Sequence, residues 1–271
     1  MRDDLVKAMS PERGEAIDPV AMARKDLARK LPARFFKTAA ASENDGVFAL
    51  TLDGKGARTP GGNPLVLRGR AVVEALAAEW NALKDIIDPA EMPLTRLVNS
   101  ALDGVARNMD ETRAEIAKYA RSDLLCYRAG EPESLVAAQT AAWDPLLDWA
   151  REALGARFVA STGITFVEQP AASIAAVRAR IDQAKEPVRL AAMSSMTALT
   201  GSALLTLAVV LERLTPAEAW AAAHVDEDFQ TRFWGADEEA LARRARRWRE
   251  MEAAALLLAL GRAGNGQLRA R

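Results

Sequence analysis

The spacing of apolar residues changes near Arg70, and this change is what most limits the folds open to the chain. Before it, Phe48, Leu50 and Leu52 alternate as in a half-buried strand, and a turn follows directly. After it, apolar residues recur at helical spacing. The pattern predicts an α+β fold, with a small antiparallel β-containing N-terminal domain followed by a mainly α-helical C-terminal domain.

The predicted meander consists of residues 34–38, 47–52 and 65–67, separated by glycine-containing turns. The chain then divides into three predicted parts. We expect an N-terminal extension over residues 1–32, a β-containing domain with helices over 33–135, and a helical domain over 136–271.

Capping residues predict where the later helices begin and end. Asn108 with Glu111 resembles a capping box for a helix through Leu124, and a helix restarts at Pro145 after a break and ends at Gly155. Residues 158–167 are apolar and β-branched, which favours a late strand pair around Gly163. Further helices are predicted at residues 171–185, 187–213, 216–233 and 237–260.

The content of reactive side chains argues against an enzyme. The chain has one cysteine, Cys126, and one histidine, His224, so a disulfide framework, a zinc ribbon and a two-histidine metal site are excluded. Cys126 lies among apolar residues, and His224 has no identifiable nucleophile to serve. We therefore expect Cys126 to fill a small space in the core and His224 to lie on a helix surface or pack inside, and we expect no catalytic residue, metal or cofactor.

The glycine-rich segment 53–62 contains a lysine but lacks the Gly-Lys-Ser/Thr ending of a phosphate-binding loop, so hairpin turns are expected there. The first 30 residues include six acids and no apolar core, which predicts a cytoplasmic bacterial protein, or a mitochondrial matrix protein if a presequence has been removed. The uncharged run 191–211 contains six hydroxyl residues and a glycine, and this favours a buried helix over a membrane span.

A dense basic run lies near the C-terminus. It consists of Arg243, Arg244, Arg246, Arg247 and Arg249. Acids at 237–239 on the same predicted helix favour a salt-bridged, solvated face, and the formal net charge of −1 gives no global attraction to nucleic acid. Nucleic-acid binding, or another helical interaction through this run, is the alternative function.

The helix predicted at 216–233 carries the most informative polar residue. On a continuous helix, Asp226 shares a side with Ala219, Ala222, Phe229 and Phe233, which is otherwise apolar. A carboxylate there is costly unless it is paired. Either an arginine of this chain satisfies Asp226, or the face is a groove that awaits a partner.

Several segments together resemble a known family. They are Asp53-Gly54-Lys55 through Thr59-Pro60, Asn63-Pro64-Leu65, Ala78-Glu79-Trp80, Asp88-Pro89, Met92-Pro93-Leu94-Thr95, Tyr119 with Asp123-Leu124-Leu125-Cys126-Tyr127-Arg128, and Asp226-Glu227-Asp228-Phe229-Gln230 with Trp234-Gly235. In this order, over roughly residues 33–262, they resemble the Atp12 family of assembly chaperones for the F1 head of ATP synthase.

The resemblance implies an ATP-independent chaperone that binds the unassembled alpha subunit of F1 and promotes F1 assembly. It implies a β-containing domain followed by a helical one, and it places Asp226 at the first acid of the family's functional motif, where this chain has Asp for Glu. We expect partner binding by Asp226, Glu227, Asp228, Phe229 and Trp234. We also expect a monomer with no nucleic-acid partner and no stable membrane insertion, in which Trp80 has a packing role.

Overall fold

The computed structural model describes residues 31–235 and 237–267 of the 271-residue chain. The N-terminal extension predicted for residues 1–32 lies outside the described residues, apart from its last two positions. The description therefore begins close to the predicted meander.

The N-terminal sheet is antiparallel and has β2 at its centre. Its strands are β1 (Ala39–Asn44), β2 (Val47–Leu52), β3 (Lys55–Gly56) and β4 (Val66–Leu67). β2 pairs with β1 along its whole length, and with β3 and β4 on its other edge. The predicted strand at 47–52 is confirmed, and Leu50 and Leu52 point into the core.

The predicted strand at 34–38 is wrong, because the first strand begins at Ala39. The Arg34 guanidinium donates hydrogen bonds to the carbonyls of Phe36 and Leu83, and Phe36 is buried. The segment therefore packs over the end of the first helix instead of joining the sheet.

Ten α-helices follow the sheet within the described residues. They are α1 (Arg70–Ala82), α2 (Pro93–Asp103), α3 (Met109–Tyr119), α4 (Glu133–Leu154), α5 (Ala171–Ile181), α6 (Pro187–Thr200), α7 (Ala203–Val210), α8 (Pro216–Ala223), α9 (Val225–Trp234) and α10 (Glu238–Gln267). The α+β fold predicted from the sequence is confirmed.

The region after α3 corrects the helix predicted to run through Leu124. Asn108 makes no side-chain cap, and α3 ends at Tyr119, followed by short 3-10 turns at Ala120–Ser122 and Leu124–Cys126. Asp123, between these turns, accepts hydrogen bonds from the Ser202 hydroxyl (2.6 Å) and the Leu204 amide (3.1 Å). These bonds draw the chain away from the axis of α3 and toward the start of α7.

α4 is continuous, so the predicted break before Pro145 is wrong. Proline deprives the helix of one hydrogen bond, to the carbonyl four residues earlier. Both Pro145 and Ala141 are exposed, so water can satisfy that carbonyl. The predicted end at Gly155 is confirmed by its left-handed backbone, with φ of 69°.

Two predicted long helices are each divided in two. The first divides at Gly201, which takes φ of 66°, and Ser202 then caps α7 by accepting from the Leu205 amide. The second divides at His224, between α8 and α9. The capping box predicted at Thr215 is present, and the last helix runs on to Gln267, beyond the predicted end at residue 260.

The strand pair predicted within residues 158–167 is also wrong. Only β6 (Ser161–Thr162) forms there, and it pairs in parallel with β5 (Tyr127–Arg128) instead of making a hairpin. The buried Gln169 side chain bonds both the amide and the carbonyl of Val159, so it satisfies the backbone that a second strand would have paired.

One hydrophobic core extends through both the sheet-containing and the helical regions. α6 is central: it packs against α2, α3, α7 and α10, and α10 also packs against α1. The predicted boundary between residues 135 and 136 falls inside α4. Within the described ranges, none of the helices has both the length and the apolarity that crossing a bilayer requires.

Candidate functional site

The predicted partner-binding residues all lie on α9. Because the helix divides at His224, the single face predicted to run from Ala219 to Phe233 does not exist. Ala219 and Ala222 are buried on α8, whereas Phe233 is 66% exposed on α9. The division places Asp226 in the first turn of a separate helix, where the backbone dipole favours an acid.

Asp226 is satisfied by an amide, not by an arginine. Its Oδ1 accepts a hydrogen bond from Nε2 of Gln139 on α4, at 2.7 Å. Gln139 is buried, and its own Oε1 accepts from the backbone amide of Ala129 at 2.8 Å. None of the ion pairs formed among the described residues involves Asp226, so its negative charge is held in place without being neutralised.

The two neighbouring acids face their own chain. Asp228 forms an ion pair with Arg244 of α10 at 2.5 Å, and this interaction raises the pKa of Arg244. An Oε2 atom of Glu227 lies 3.9 Å from Nε2 of His224. Of the three predicted acids, Asp226 is therefore the one that contacts no cationic or histidine side chain at ion-pair distance in the described part of the chain.

His224 is packed in the interior, which is one of the two placements that the sequence left open. Its Nδ1 bonds the Trp220 carbonyl at 2.7 Å, and its ring lies 3.9 Å from the Trp220 ring, centroid to centroid. Burial lowers the pKa of His224, although the Trp220 carbonyl and Glu227 act in the opposite direction. The imidazole is neutral near pH 7 and supports the start of α9.

The C-terminal end of α9 presents exposed aromatic rings. Phe229 and Phe233 are in contact, with ring centroids 4.8 Å apart, and Trp234 is 88% exposed. Beside them, a groove of about 470 Å³ runs between α9 and α4. Its walls include Ala138, Ala142 and Pro145 of α4, and Val225 and Phe229 of α9.

The sequence did not identify Gln139 or Arg244 as part of this site. The only indication that Gln139 has a special role is that it is a polar residue on the buried side of a helix. That side can be assigned only once α4 is known to be continuous. Arg244 appeared only as one member of the basic run. It pairs with Asp228 of α9 and not with an acid of its own helix. The predicted pairing within the helix is confirmed for Arg243, which lies 3.5 Å from Glu239.

The remaining reactive groups form no catalytic arrangement among the described residues. Burial raises the pKa of the Cys126 thiol to about 12, and the Asp123 charge adds to this. No group of three or more His, Cys, Asp or Glu side chains that could hold a metal occurs in the described ranges.

A fixed carboxylate, exposed aromatic rings and an adjacent apolar groove are together typical of a surface that binds another protein. The fold is that of a mainly helical protein with a small β-sheet, and the site has the make-up expected of a protein that acts by contact with other proteins. Comparison with known proteins gives the same class: the family model described as "ATP12 chaperone protein" matches residues 33–151.

Solved structures extend this likeness over most of the chain. The Atu1473 protein of Agrobacterium tumefaciens, a proposed chaperone, is 46% identical over 90% of this chain and 92% of its own, with a TM-score of 0.82. Atp12 from Paracoccus denitrificans is 39% identical over 84% of this chain and 98% of its own, with a TM-score of 0.78. An aspartate-to-lysine mutant of P. denitrificans Atp12p matches equally well, with 38% identity and a TM-score of 0.78. The chain belongs to the ATP12 chaperone family.

Proposed function

We propose that this chaperone binds the unassembled alpha subunit of the F1 head of ATP synthase and promotes F1 assembly without using ATP. Family membership supports the assembly role, and the α9 surface supports a protein client. The observation that carries the proposal is the Asp226 carboxylate, which Gln139 orients and no cation of the described chain neutralises.

In this proposal Asp226 forms an ion pair with a lysine or arginine of the client. A carboxylate already oriented by a buried amide loses little side-chain entropy on binding, so the pair is directional. Phe229 and Trp234 supply apolar contact area, and the groove beside Phe229 receives an apolar side chain. Asp228 supports α9 through its ion pair with Arg244, and the exposed Glu227, near His224, adds negative potential.

Release follows from competition. A beta subunit that buries more of the same alpha surface displaces the chaperone by mass action, so no nucleotide is consumed by the chaperone. The protein acts as a monomer and not as an enzyme, in the bacterial cytoplasm, or in the mitochondrial matrix if a presequence has been removed.

The test is capture of purified alpha subunit, and suppression of its aggregation, by the wild-type chaperone and two variants in the absence of nucleotide. We expect Asp226→Lys to weaken capture by at least about tenfold through repulsion, and Asp226→Asn to weaken it less. Glu43→Lys, an exposed charge reversal on β1, is the matched control and should capture normally. Melting temperatures of all variants show whether each remains folded.

Two results would count against the proposal. Strict dependence of aggregation suppression on ATP hydrolysis would exclude a passive holding mechanism. Normal capture by Asp226→Lys, with a reduced melting temperature, would remove Asp226 from the binding surface.

A further inference from the structure

The basic run contributes most of a small cleft between α10 and the start of α2. The cleft has a volume of about 220 Å³. Its charged walls are Arg96, Arg243, Arg246, Arg247, Arg249 and Glu250. Such a concentration of guanidinium groups is unexpected in a chain whose formal net charge is −1.

Three of these arginines are paired with carboxylates. Arg96 contacts Glu250 at 2.7 Å, and Arg249 contacts Glu91 at 2.6 Å. Arg243 is 3.5 Å from Glu239, and both of these side chains are largely exposed. The first two pairs hold α10 against the start of α2, the third lies within α10, and together they use part of the positive charge.

Arg246 and Arg247 are the arginines of the cleft whose charge is not neutralised by an ion pair among the described residues. Among the described residues, neither has a carboxylate within the 4.0 Å of an ion pair. Nη2 of Arg247 donates to the Leu199 carbonyl at 2.7 Å, so that guanidinium is held in place by a neutral group. Arg246 is exposed at the cleft. The cleft therefore has a local excess of positive charge and donors that are free to bind an anion.

The size and lining of the cleft select the kind of anion. At about 220 Å³ the cleft is small, and the residues lining it include no aromatic ring on which a nucleic-acid base could stack. Glu250, Glu239 and Glu91 lie among the arginines and would repel a run of phosphates. An aspartate or glutamate side chain is small and carries a single negative charge, so it suits both the size of the cleft and the acids around it. Arginine binds carboxylates through two parallel hydrogen bonds.

The cleft is linked to the α9 surface through α10. Arg244, next to Arg243 in sequence, pairs with Asp228 of α9, and the Arg247 guanidinium lies 5.8 Å from the ring centre of Trp220. The same helix thus supports the proposed client surface and lines the cleft.

We propose that the arginine cleft binds an acidic side chain of the client, as a second contact of opposite charge to Asp226. This inference rests on the proposed function. Two contacts of opposite sign fix the orientation of the client, because a reversed client would meet like charges at both points. Joining two weak contacts in one client also raises the affinity above that of either alone.

The first experiment uses poly-L-glutamate as the probe and the full-length chaperone, with tryptophan fluorescence as the readout because Arg247 lies near Trp220. We expect saturable binding that weakens with added salt. Arg246→Glu should lower the affinity by about tenfold, and Arg246→Lys should keep most of it. Lys84→Glu, an exposed reversal elsewhere on the surface, should behave as wild type.

The second experiment measures alpha-subunit capture by the same variants. Weaker capture by Arg246→Glu, at an unchanged melting temperature, supports the proposal. Normal capture by Arg246→Glu, while Asp226→Lys fails to capture, overturns the cleft contact and leaves the proposed function standing. Absence of capture by wild type overturns both. Preferential binding of RNA or inorganic phosphate over poly-L-glutamate would assign the cleft to a different ligand and contradict the proposal.

Discussion

Gln139 holds Asp226 at 2.7 Å while it accepts a hydrogen bond from the amide of Ala129 at 2.8 Å. The buried Gln139 amide thus makes two hydrogen bonds: its Oε1 accepts from the loop before α4, and its Nε2 donates to the first turn of α9. The two bonds fix the orientation of the amide, and Asp226 takes part in no ion pair of the described chain. The acid is positioned by a residue 87 positions away in sequence.

We predict that Gln139→Leu lowers the free energy of unfolding by about 2 kcal/mol, because the amide of half-buried Ala129 and the carboxylate of Asp226 both lose their hydrogen-bond partner. Gln139→Glu should be worse, since it places a second carboxylate against Asp226. Chemical denaturation measures both effects. Gln183→Leu, the same change at an exposed position, is the matched control and should leave stability unchanged. Equal stability of Gln139→Leu and wild type would show that these bonds contribute nothing.

Trp80 is expected to act through folding. It is only partly buried, but its Nε1 donates to the Thr95 hydroxyl at 3.0 Å and its ring lies 5.5 Å from that of Phe36, centroid to centroid. Trp80→Ala should cost about 3 kcal/mol, and Trp80→Phe, which loses mainly the hydrogen bond, about 1 kcal/mol. Thermal unfolding measures the change. Loss of client capture at an unchanged melting temperature would instead make Trp80 a contact residue.

Asp123 should give the protein an unusual pH response. Burial raises its pKa to about 6, despite hydrogen bonds from Ser202 and Leu204, and the ordinary value is 3.8. Between these two values the folded state binds more protons than the unfolded state, so this group's contribution to stability falls as pH rises from about 4 to about 6. The difference corresponds to about 3 kcal/mol.

The comparison of wild type with Asp123→Asn isolates this effect, because the other carboxylates titrate in both proteins. We expect the stability of Asp123→Asn, relative to that of wild type, to be higher at pH 7 than at pH 4. Denaturation at the two pH values provides the measurement. A stability difference that is independent of pH would mean that Asp123 keeps an ordinary pKa in the folded protein.

Cys126 should be unreactive in the folded protein. It is buried, and a thiol whose pKa is raised to about 12 has almost no thiolate at pH 8. We expect slow modification by a thiol-reactive reagent under native conditions and complete modification of one thiol per chain in urea. Rapid native labelling would indicate either an accessible thiol or frequent local opening of the Leu124–Cys126 turn.

The sequence predicted those features that depend on local pattern. Alternation at 47–52, the capping box at Thr215 and the glycine stop at Gly155 all appear in the structure. The division at Gly201 carried a local signal too, since a glycine preceded a serine that could cap the next helix. The prediction of a single helix over residues 187–213 did not take this signal into account.

Features set by distant contacts were not predictable. No glycine or proline marks His224, where the chain turns because the imidazole packs on Trp220 and bonds its carbonyl. For Asp226 the sequence left an internal arginine or a partner as the alternatives, and the residue that actually contacts it is a glutamine on α4. Gln139 and Asp226 come together only through the packing of α9 on α4.

The position of α10 affects how the chain must fold during its own synthesis. α10 covers parts of α1, α2 and α6, and it is translated after all three. Until residues 238–267 have left the ribosome, those helices expose apolar surface to the cytosol. We therefore expect nascent chains that lack α10 to be prone to aggregation and to be bound by general chaperones. On the proposed function, the protein can protect another subunit only after α10 has been added.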